Sequence, residues 1–174
     1  IKKSGRSSFL GDSVRKLKKE KTNILPNFTK RSRAYLEIQN GCNHSCTFCI
    51  IPQGRGLSKS VPMDTILEKI RNLVNKGFKE IVLTGVDITC WGSDIAGNDR
   101  LGDLVNKILN ETPNLPRLRL SSLDVSEMDD RLIQIYKSNE RMMPHLHLSL
   151  QSGNNLILKR MKRRHSREQA IDLC

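Results

Sequence analysis

Ala34-Tyr35-Leu36-Glu37-Ile38-Gln39-Asn40-Gly41-Cys42-Asn43-His44-Ser45-Cys46-Thr47-Phe48-Cys49 sets both the fold and the chemistry to be expected of this chain. Its first six residues alternate apolar and polar side chains, as a strand with one buried face does. The C-x3-C-x2-C cluster of Cys42, Cys46 and Cys49 follows directly. Three thiolates on one short loop can hold three irons of a [4Fe–4S] cube and leave the fourth iron open to an outside ligand. A fully ligated electron-transfer cluster draws on four Cys. A strand feeding a three-Cys loop therefore points to chemistry at an open iron. The competing reading is a Cys3His zinc site completed by His44. His44 lies between Cys42 and Cys46, inside a four-residue step where four ligands could hardly converge tetrahedrally. Structural zinc also more often takes paired ligands from two separate segments, so iron–sulfur is the favoured reading.

Beyond this loop, helix-like and strand-like runs alternate. Pro62 and Asp64 suit the first turn of a helix with Ile66, Ile70, Leu73 and Val74 on one face and Gly77 as its stop. Glu80 to Thr84 reads as a second strand. Leu101, Leu104, Val105, Ile108 and Leu109 have the spacing of an amphipathic helix, which Pro113 and Pro116 end. Arg117 to Ser121 is predicted as a third strand, Asp129 to Tyr136 as a third helix and His145 to Leu150 as a fourth strand. Ser166-x-x-Gln169 is a capping-box signature for a last helix. The β-α-β-α-β-α-β-α order predicts an α/β fold with a parallel sheet and right-handed crossovers. Four units are too few to close an eight-stranded barrel. The expectation is an open sheet, or part of a barrel, over residues 34–174.

Active sites of parallel α/β folds gather at the C-terminal ends of the strands. The Cys loop follows strand one, Gly85-Val86-Asp87 strand two, Ser121-Ser122 strand three and Gln151-Ser152-Gly153 strand four. All four are expected on one rim. Gly85, Val86 and Asp87 could meet a ligand's amino group, with Asp87 favouring positive charge; a plain turn or close backbone approach at Gly85 is the bland alternative. Ser121, Ser122 and Gln151 could reach ribose hydroxyls or a carboxylate, or serve as loop caps. Arg119 could pair with a carboxylate or lie at the surface. His145 and His147 are expected to be hydrogen-bonded structural residues, and Cys90 and Cys174, standing apart, unliganded thiols.

The chain has 174 residues, enough for one domain with a real core. No apolar run approaches the roughly 18–20 residues that span a bilayer, and no signal-peptide pattern opens it. Five Cys, three of them within eight positions, argue for metal ligation in a reducing, cytoplasmic compartment rather than a disulfide framework. The net charge of +12 is uneven: residues 1–33 hold eleven Lys or Arg against Asp12 and Glu20. This Lys-, Ser- and Gly-rich segment reads as a basic linker or arm. A second basic run covers Lys159 to Arg164. The two patches suggest an anionic partner, nucleic acid first, or else merely solvated faces. An aromatic content of 4% offers no evident stacking platform for single strands. A chain beginning at Ile1 and stopping after an amphipathic run is expected to be a piece of a longer protein.

These residues resemble a known family. A C-x3-C-x2-C loop after a first strand is the signature of radical S-adenosylmethionine enzymes. The string from Gly41 to Pro52, with Gly54-Arg55-Gly56 and Ser60-Val61-Pro62, is similar to the methylthiotransferases. Leu83 to Asp87, Leu118 to Ser122 and His145 to Gly153 resemble the MtaB-type branch, which modifies N6-threonylcarbamoyladenosine beside the tRNA anticodon. The resemblance covers roughly residues 28–174. It implies part of an open radical-SAM barrel, with Cys42, Cys46 and Cys49 holding a [4Fe–4S] cluster. S-adenosyl-L-methionine would chelate the open iron and contact Gly85, Val86, Asp87, Ser121, Ser122, Gln151 and Ser152. The implied reaction generates a 5′-deoxyadenosyl radical that abstracts hydrogen from adenine C2, where a methylthio group is installed. Implied partners are the tRNA anticodon loop and an electron donor such as flavodoxin or ferredoxin.

Full-length family members also carry an N-terminal domain whose three Cys hold a second [4Fe–4S] cluster. No such triplet precedes Cys42, so a missing domain, on another chain or in a longer protein, is expected, and this chain alone is expected to be incomplete. Two other functions stay open: a branch acting on isopentenyladenosine in tRNA or on a ribosomal-protein aspartate, and an inactive metal-stabilised RNA-binding fragment.

Overall fold

The computed structural model describes residues 32–174. The basic arm expected at 1–33 lies outside the described residues except for Ser32 and Arg33. In chain order the elements are β1 (Arg33–Glu37), β2 (Gln39–Asn40), α1 (Ile51–Arg55), β3 (Lys59–Ser60), α2 (Met63–Asn75), β4 (Glu80–Thr84) and α3 (Leu101–Glu111). There follow β5 (Arg117–Leu120), β6 (Ser122–Leu123), α4 (Asp130–Ser138), β7 (His147–Leu148), α5 (Asn155–Arg160) and α6 (Arg167–Leu173). Single 3-10 turns lie at Ile88–Cys90 and Val125–Glu127.

β1, β4 and β5 form one parallel sheet in that order, with Leu36 opposite Leu83 and Leu83 opposite Leu120. The central strand β4 is buried from Glu80 to Leu83, as a parallel strand covered on both faces must be. β1 and β5 keep the alternation of buried and more open positions that their sequences show. Ile66, Leu67, Ile70 and Leu73 of α2, and Leu104, Val105 and Ile108 of α3, bury their apolar stripes in the same core as the sheet. α3 also packs closely on the start of α4. A Cβ on Gly102 would lie 2.1 Å from Asp129 Oδ1, the atom that caps α4 by accepting from Leu132 N.

One charged group is buried at the N-terminal end of the sheet. Glu80 accepts from Arg119 at 2.7 Å, Arg33 at 3.0 Å and Arg117 at 3.1 Å. Burial alone would raise its carboxyl pKa, but these guanidinium groups outweigh that and hold it below the usual carboxylate range. Arg119 thus pairs with a carboxylate, at the opposite end of the sheet from the Cys loop.

The α/β reading and the open parallel sheet agree with the structure. The predicted fourth strand needs correction: only His147–Leu148 pair, and they join β6 rather than the main sheet. Met143 N bonds Leu118 O just before, so the segment follows the sheet without extending it as a full strand. The predicted last helix is opened by the reciprocal Ser166–Gln169 capping box. Two short helices, α1 and α5, carried no apolar period long enough to announce them.

Candidate metal centre

β1 and β2 deliver the Cys loop to the C-terminal rim of the sheet. Gly41 makes the turn into it at φ +75°, and a Cβ there would sit 2.1 Å from Leu57 O, so no other residue fits. Beyond it, Cys42 N donates to Gly56 O at 3.1 Å and Ser58 N to Asn43 Oδ1 at 2.9 Å, tying the loop to the segment after α1. Thr47 N donates to Met161 O at 3.2 Å, tying its far side to the end of α5. Cys42 is buried, Cys46 and Cys49 are partly exposed, and none is in a disulfide.

Gln39, fully buried, braces this loop against the β4 loop. Its Nε2 donates to Gly41 O at 2.7 Å and to Ser58 Oγ at 2.9 Å, while its Oε1 accepts from Val86 N at 3.1 Å and Asp87 N at 2.8 Å. Gly85 is needed for the same approach: a Cβ there would meet Gln39 O at 2.6 Å. Gly85 thus serves a close backbone approach. The backbone N–H groups of Val86 and Asp87 are used within the protein, and the Asp87 carboxylate faces the Cys loop.

That carboxylate begins a chain of contacts around the loop. Asp87 Oδ2 lies 2.8 Å from His44 Nε2 and 3.7 Å from Cys42 Sγ. Thr89 Oγ1 donates to Asp87 Oδ1 at 3.0 Å and accepts from Asp124 N at 3.1 Å. Asp124 Oδ2 in turn accepts from Arg163 Nη2 at 2.7 Å, and Arg163 Nη1 stands 3.7 Å from Cys46 Sγ. A second branch joins His44, Cys90, Glu127 and Arg164, with Cys90 Sγ donating to Glu127 Oε1 at 2.9 Å and Arg164 Nη1 to the same oxygen at 2.6 Å.

The electrostatics follow from these contacts. Burial first, with the Asp87 charge adding, pushes the Cys42 thiol up to about 11, opposed by the His44 N–H that points at its sulfur. Hydrogen bonds to Asp87 and then Glu127 raise His44 to about 9. Burial and the Glu127 carboxylate push Cys90 far above an ordinary thiol. Burial opposes ionisation of Glu127, but bonds from His44, Arg164 and Cys90 hold it ionised. Without a metal, the free thiol form of Cys42 is favoured; a bound cation would displace its proton. Arg163 places a buried guanidinium beside Cys46, and its Nε has no hydrogen-bond partner. Three thiols on one loop with a buried cation alongside is a charge arrangement suited to a thiolate-ligated centre.

The other expected contact residues divide. Ser121, at the end of β5, has a buried hydroxyl without a partner, as a ligand-facing group does. Ser122 Oγ and His147 Nδ1 are 3.2 Å apart, so both are engaged with each other. Gln151 is exposed in left-handed backbone at φ 62°, and Ser152 Oγ accepts from Asn154 N at 3.1 Å. Neither makes a hydrogen bond to the Cys loop; the fourth segment reaches it through Ser149 O, which accepts from Arg163 Nη2 at 2.9 Å. Asp124, Glu127, Arg163 and Arg164 were not singled out by sequence for this site. Arg163 and Arg164 stood inside the basic run, where only three-dimensional pairing separates them from the exposed Lys159, Arg160 and Lys162.

The family model for the Radical SAM superfamily matches residues 36–174. Threonylcarbamoyladenosine tRNA methylthiotransferase MtaB of Rickettsia prowazekii is 47% identical over 94% of this chain and 39% of its own length. The protein of the same name from Bacillus subtilis is 39% identical over 85% of this chain and 33% of its own length. A tRNA-2-methylthio-N(6)-dimethylallyladenosine synthase of Shouchella clausii is 36% identical over 94% of this chain and 30% of its own length. The chain thus spans at most about two fifths of these relatives. Among solved structures, the radical S-adenosylmethionine methyltransferase TsrM of Kitasatospora setae, with cobalamin and a [4Fe–4S] cluster bound, superposes with a TM-score of 0.62. It is 15% identical and the match covers 80% of this chain and 28% of that one, a likeness of fold.

Proposed function

We propose, because this chain belongs to the Radical SAM superfamily, that it is the cluster-binding core of a tRNA methylthiotransferase. Cys42, Cys46 and Cys49 hold a [4Fe–4S] cluster, and the rim beside Asp87 and Ser121 receives S-adenosyl-L-methionine. When bound, the cluster and this cofactor together supply reductive cleavage to a carbon radical, the chemistry the fold itself cannot perform. The chain's own residues do the placing. Gln39 fixes the Cys loop against the β4 loop, Asp87 offers a carboxylate to a cationic ligand group, and Arg163 offsets thiolate charge at Cys46. The observation that carries the reading is the three-Cys loop docked against Asp87 with Arg163 buried at Cys46.

The substrate reading is C2 of N6-threonylcarbamoyladenosine beside the anticodon. It is supported by relatives of that name at 47% and 39% identity, against 36% for a dimethylallyladenosine synthase. Among the described residues no helix is long and apolar enough to cross a membrane, and we place the activity with tRNA in the cytoplasm. The electron donor is a small reductant of the flavodoxin or ferredoxin class. We assign a second [4Fe–4S] cluster and the sulfur transfer to the full-length protein rather than to this chain.

Anaerobic reconstitution with iron and sulfide, followed by EPR of the reduced protein with and without S-adenosyl-L-methionine, tests the core. A [4Fe–4S]⁺ signal that changes with the cofactor is expected, and a signal blind to it would overturn the assignment. Nucleoside analysis of tRNA from cells with and without the full-length gene tests the substrate. Loss of the 2-methylthio form of threonylcarbamoyladenosine supports it, and loss of the isopentenyl form instead rejects it.

A further inference from the structure

The far side of the Cys loop is edged by exposed cations. Thr47 N donates to Met161 O at 3.2 Å and Thr47 Oγ1 to Arg160 O at 3.4 Å, so the turn leaving α5 lies against the segment between Cys46 and Cys49. Those two are the more open of the three thiols. Arg163 and Arg164 of the basic run turn to Asp124 and Glu127, whereas Lys159, Arg160 and Lys162 are exposed and form no ion pair among the described residues. Leu156, 57% exposed, stands three and four positions before Lys159 and Arg160 and so shares their face of α5. Ile50, 68% exposed, follows Cys49. We propose that this face is the docking surface of an acidic electron-transfer protein, the donor to the centre on Cys42, Cys46 and Cys49, an inference that rests on the reading of that centre given above.

The turn that presents these cations is an unusual one. Arg163 N donates to Leu158 O at 2.9 Å and Lys162 N to Lys159 O at 3.0 Å, the paired bonds of a Schellman ending. Lys162 takes its left-handed position at φ 57°, where glycine is the usual residue and asparagine the next. The turn carries the Arg163 side chain inward to Asp124 and Cys46 and leaves Lys162 in solvent. A lysine in glycine's place puts an uncompensated charge on the turn that Thr47 touches.

Chemistry and charge select the partner. The reductive cleavage proposed above takes one electron per event: the donor protein is oxidised by one electron, the cluster is reduced by one, and no bond or proton passes between the two proteins. Electron tunnelling falls steeply with distance, so the donor has to seat against the thiols and away from Asp87 and Ser121, where the cofactor is placed. Redox encounters of this kind are small, below about 1,200 Å² of buried surface, and complementary charge sets their rate. Ile50 and Leu156 beside unpaired cations match a protein interface, with an apolar centre and a polar rim. A phosphate backbone would use the cations and leave those side chains in water.

The test compares two variants of the chain reconstituted with iron and sulfide. Lys159→Glu/Arg160→Glu/Lys162→Glu reverses the patch, and Lys76→Glu/Lys79→Glu/Lys137→Glu makes the same change of net charge at exposed lysines elsewhere. Folding is checked by circular dichroism, and Lys162→Gln alone serves if the triple patch variant fails to fold. The probe is flavodoxin, titrated calorimetrically at low and high salt and, as the hydroquinone, mixed with the chain in stopped flow. At low salt the patch variant should bind about tenfold or more weakly and be reduced more slowly by a similar factor, a difference that high salt diminishes. Its iron content and its reduction by dithionite, which needs no docking, should match the parent, and the control variant should match the parent throughout. Absence of flavodoxin binding by the parent, or binding and reduction unchanged in the patch variant, overturns the proposal. If binding of a tRNA anticodon stem-loop falls in that variant instead, the surface belongs to nucleic acid. A chain that takes up no cluster refutes the reading of the Cys loop, while the titration, which needs no cluster, still decides the docking surface.

Discussion

Gln39 Oε1 accepts the backbone N–H of Asp87 at 2.8 Å, so one buried side chain couples the loop carrying the thiols to the loop carrying the nearest carboxylate. The same oxygen takes the Val86 N–H, and the amide nitrogen serves Gly41 O and Ser58 Oγ. All the polar capacity of Gln39 used here spans the two loops.

Gln39→Leu keeps the size but strands those groups. Each buried unsatisfied polar group costs about 1–3 kcal/mol, and the loops can partly relax, so a loss of about 2–4 kcal/mol is expected in urea denaturation. Iron retained after reconstitution should fall as well. A variant as stable as the parent would mean that water replaces Gln39 freely.

Gly41→Ala is expected to be worse for the loop than for the sheet. The positive φ alone costs about 1 kcal/mol, and the added Cβ would sit 2.1 Å from Leu57 O, a backbone atom that moves only if the Cys loop moves. Cluster incorporation should drop severely while far-UV circular dichroism stays close to that of the parent. Equal incorporation by parent and variant would show that the loop has slack.

Much of this was legible in the chain itself, for physical reasons that differ by element. β4 and α3 were readable because their burial is local and periodic: five residues from Glu80 to Thr84, and the i, i+3, i+4 stripe beginning at Leu101. α1 was not, since Pro52 and Gly54 break any apolar period and the loop's own bonds, such as Gly54 N to Ile50 O, shape the turn. The strand expected from His145 to Leu150 shrank to two residues because alternation alone does not supply a pairing partner. In the site, the three Cys announced themselves by spacing. Arg163 did not, because its meaning comes from contacts with Asp124 and Cys46, 39 and 117 positions away.

Glu80 should make the fold acid-sensitive. Its pKa is held below the ordinary value, so its contribution is full above the unfolded carboxyl pKa and disappears as pH falls through the lowered folded value. Stability of the parent should therefore decline below about pH 4.5, near the unfolded glutamate range. Glu80→Gln should cost about 2 kcal/mol at pH 7, since two of its three arginine partners are substantially solvated and their share is screened. It should also flatten the acid limb of the stability–pH curve. An unchanged acid limb would assign the sensitivity to other carboxylates.

Arg163 and Asp124 bury a charge pair at 2.7 Å, with side-chain exposures of 8% and 7%. Removing the cation alone, in Arg163→Met, leaves Asp124 uncompensated, although Arg164 and the Ser126 bonds still assist it. A loss of about 3 kcal/mol is expected. The double variant Asp124→Asn/Arg163→Met should recover part of it, a coupling that a double-mutant cycle measures. A structural pair would do only this. If Arg163 also offsets charge at Cys46, then the reconstituted centre in Arg163→Met should reduce at a more negative potential, because reduction adds negative charge where a cation has been lost. Arg163→Lys should preserve most of the parent potential while losing the forked contacts. Potentials that follow stability rather than charge across the three variants would confine Arg163 to a structural role.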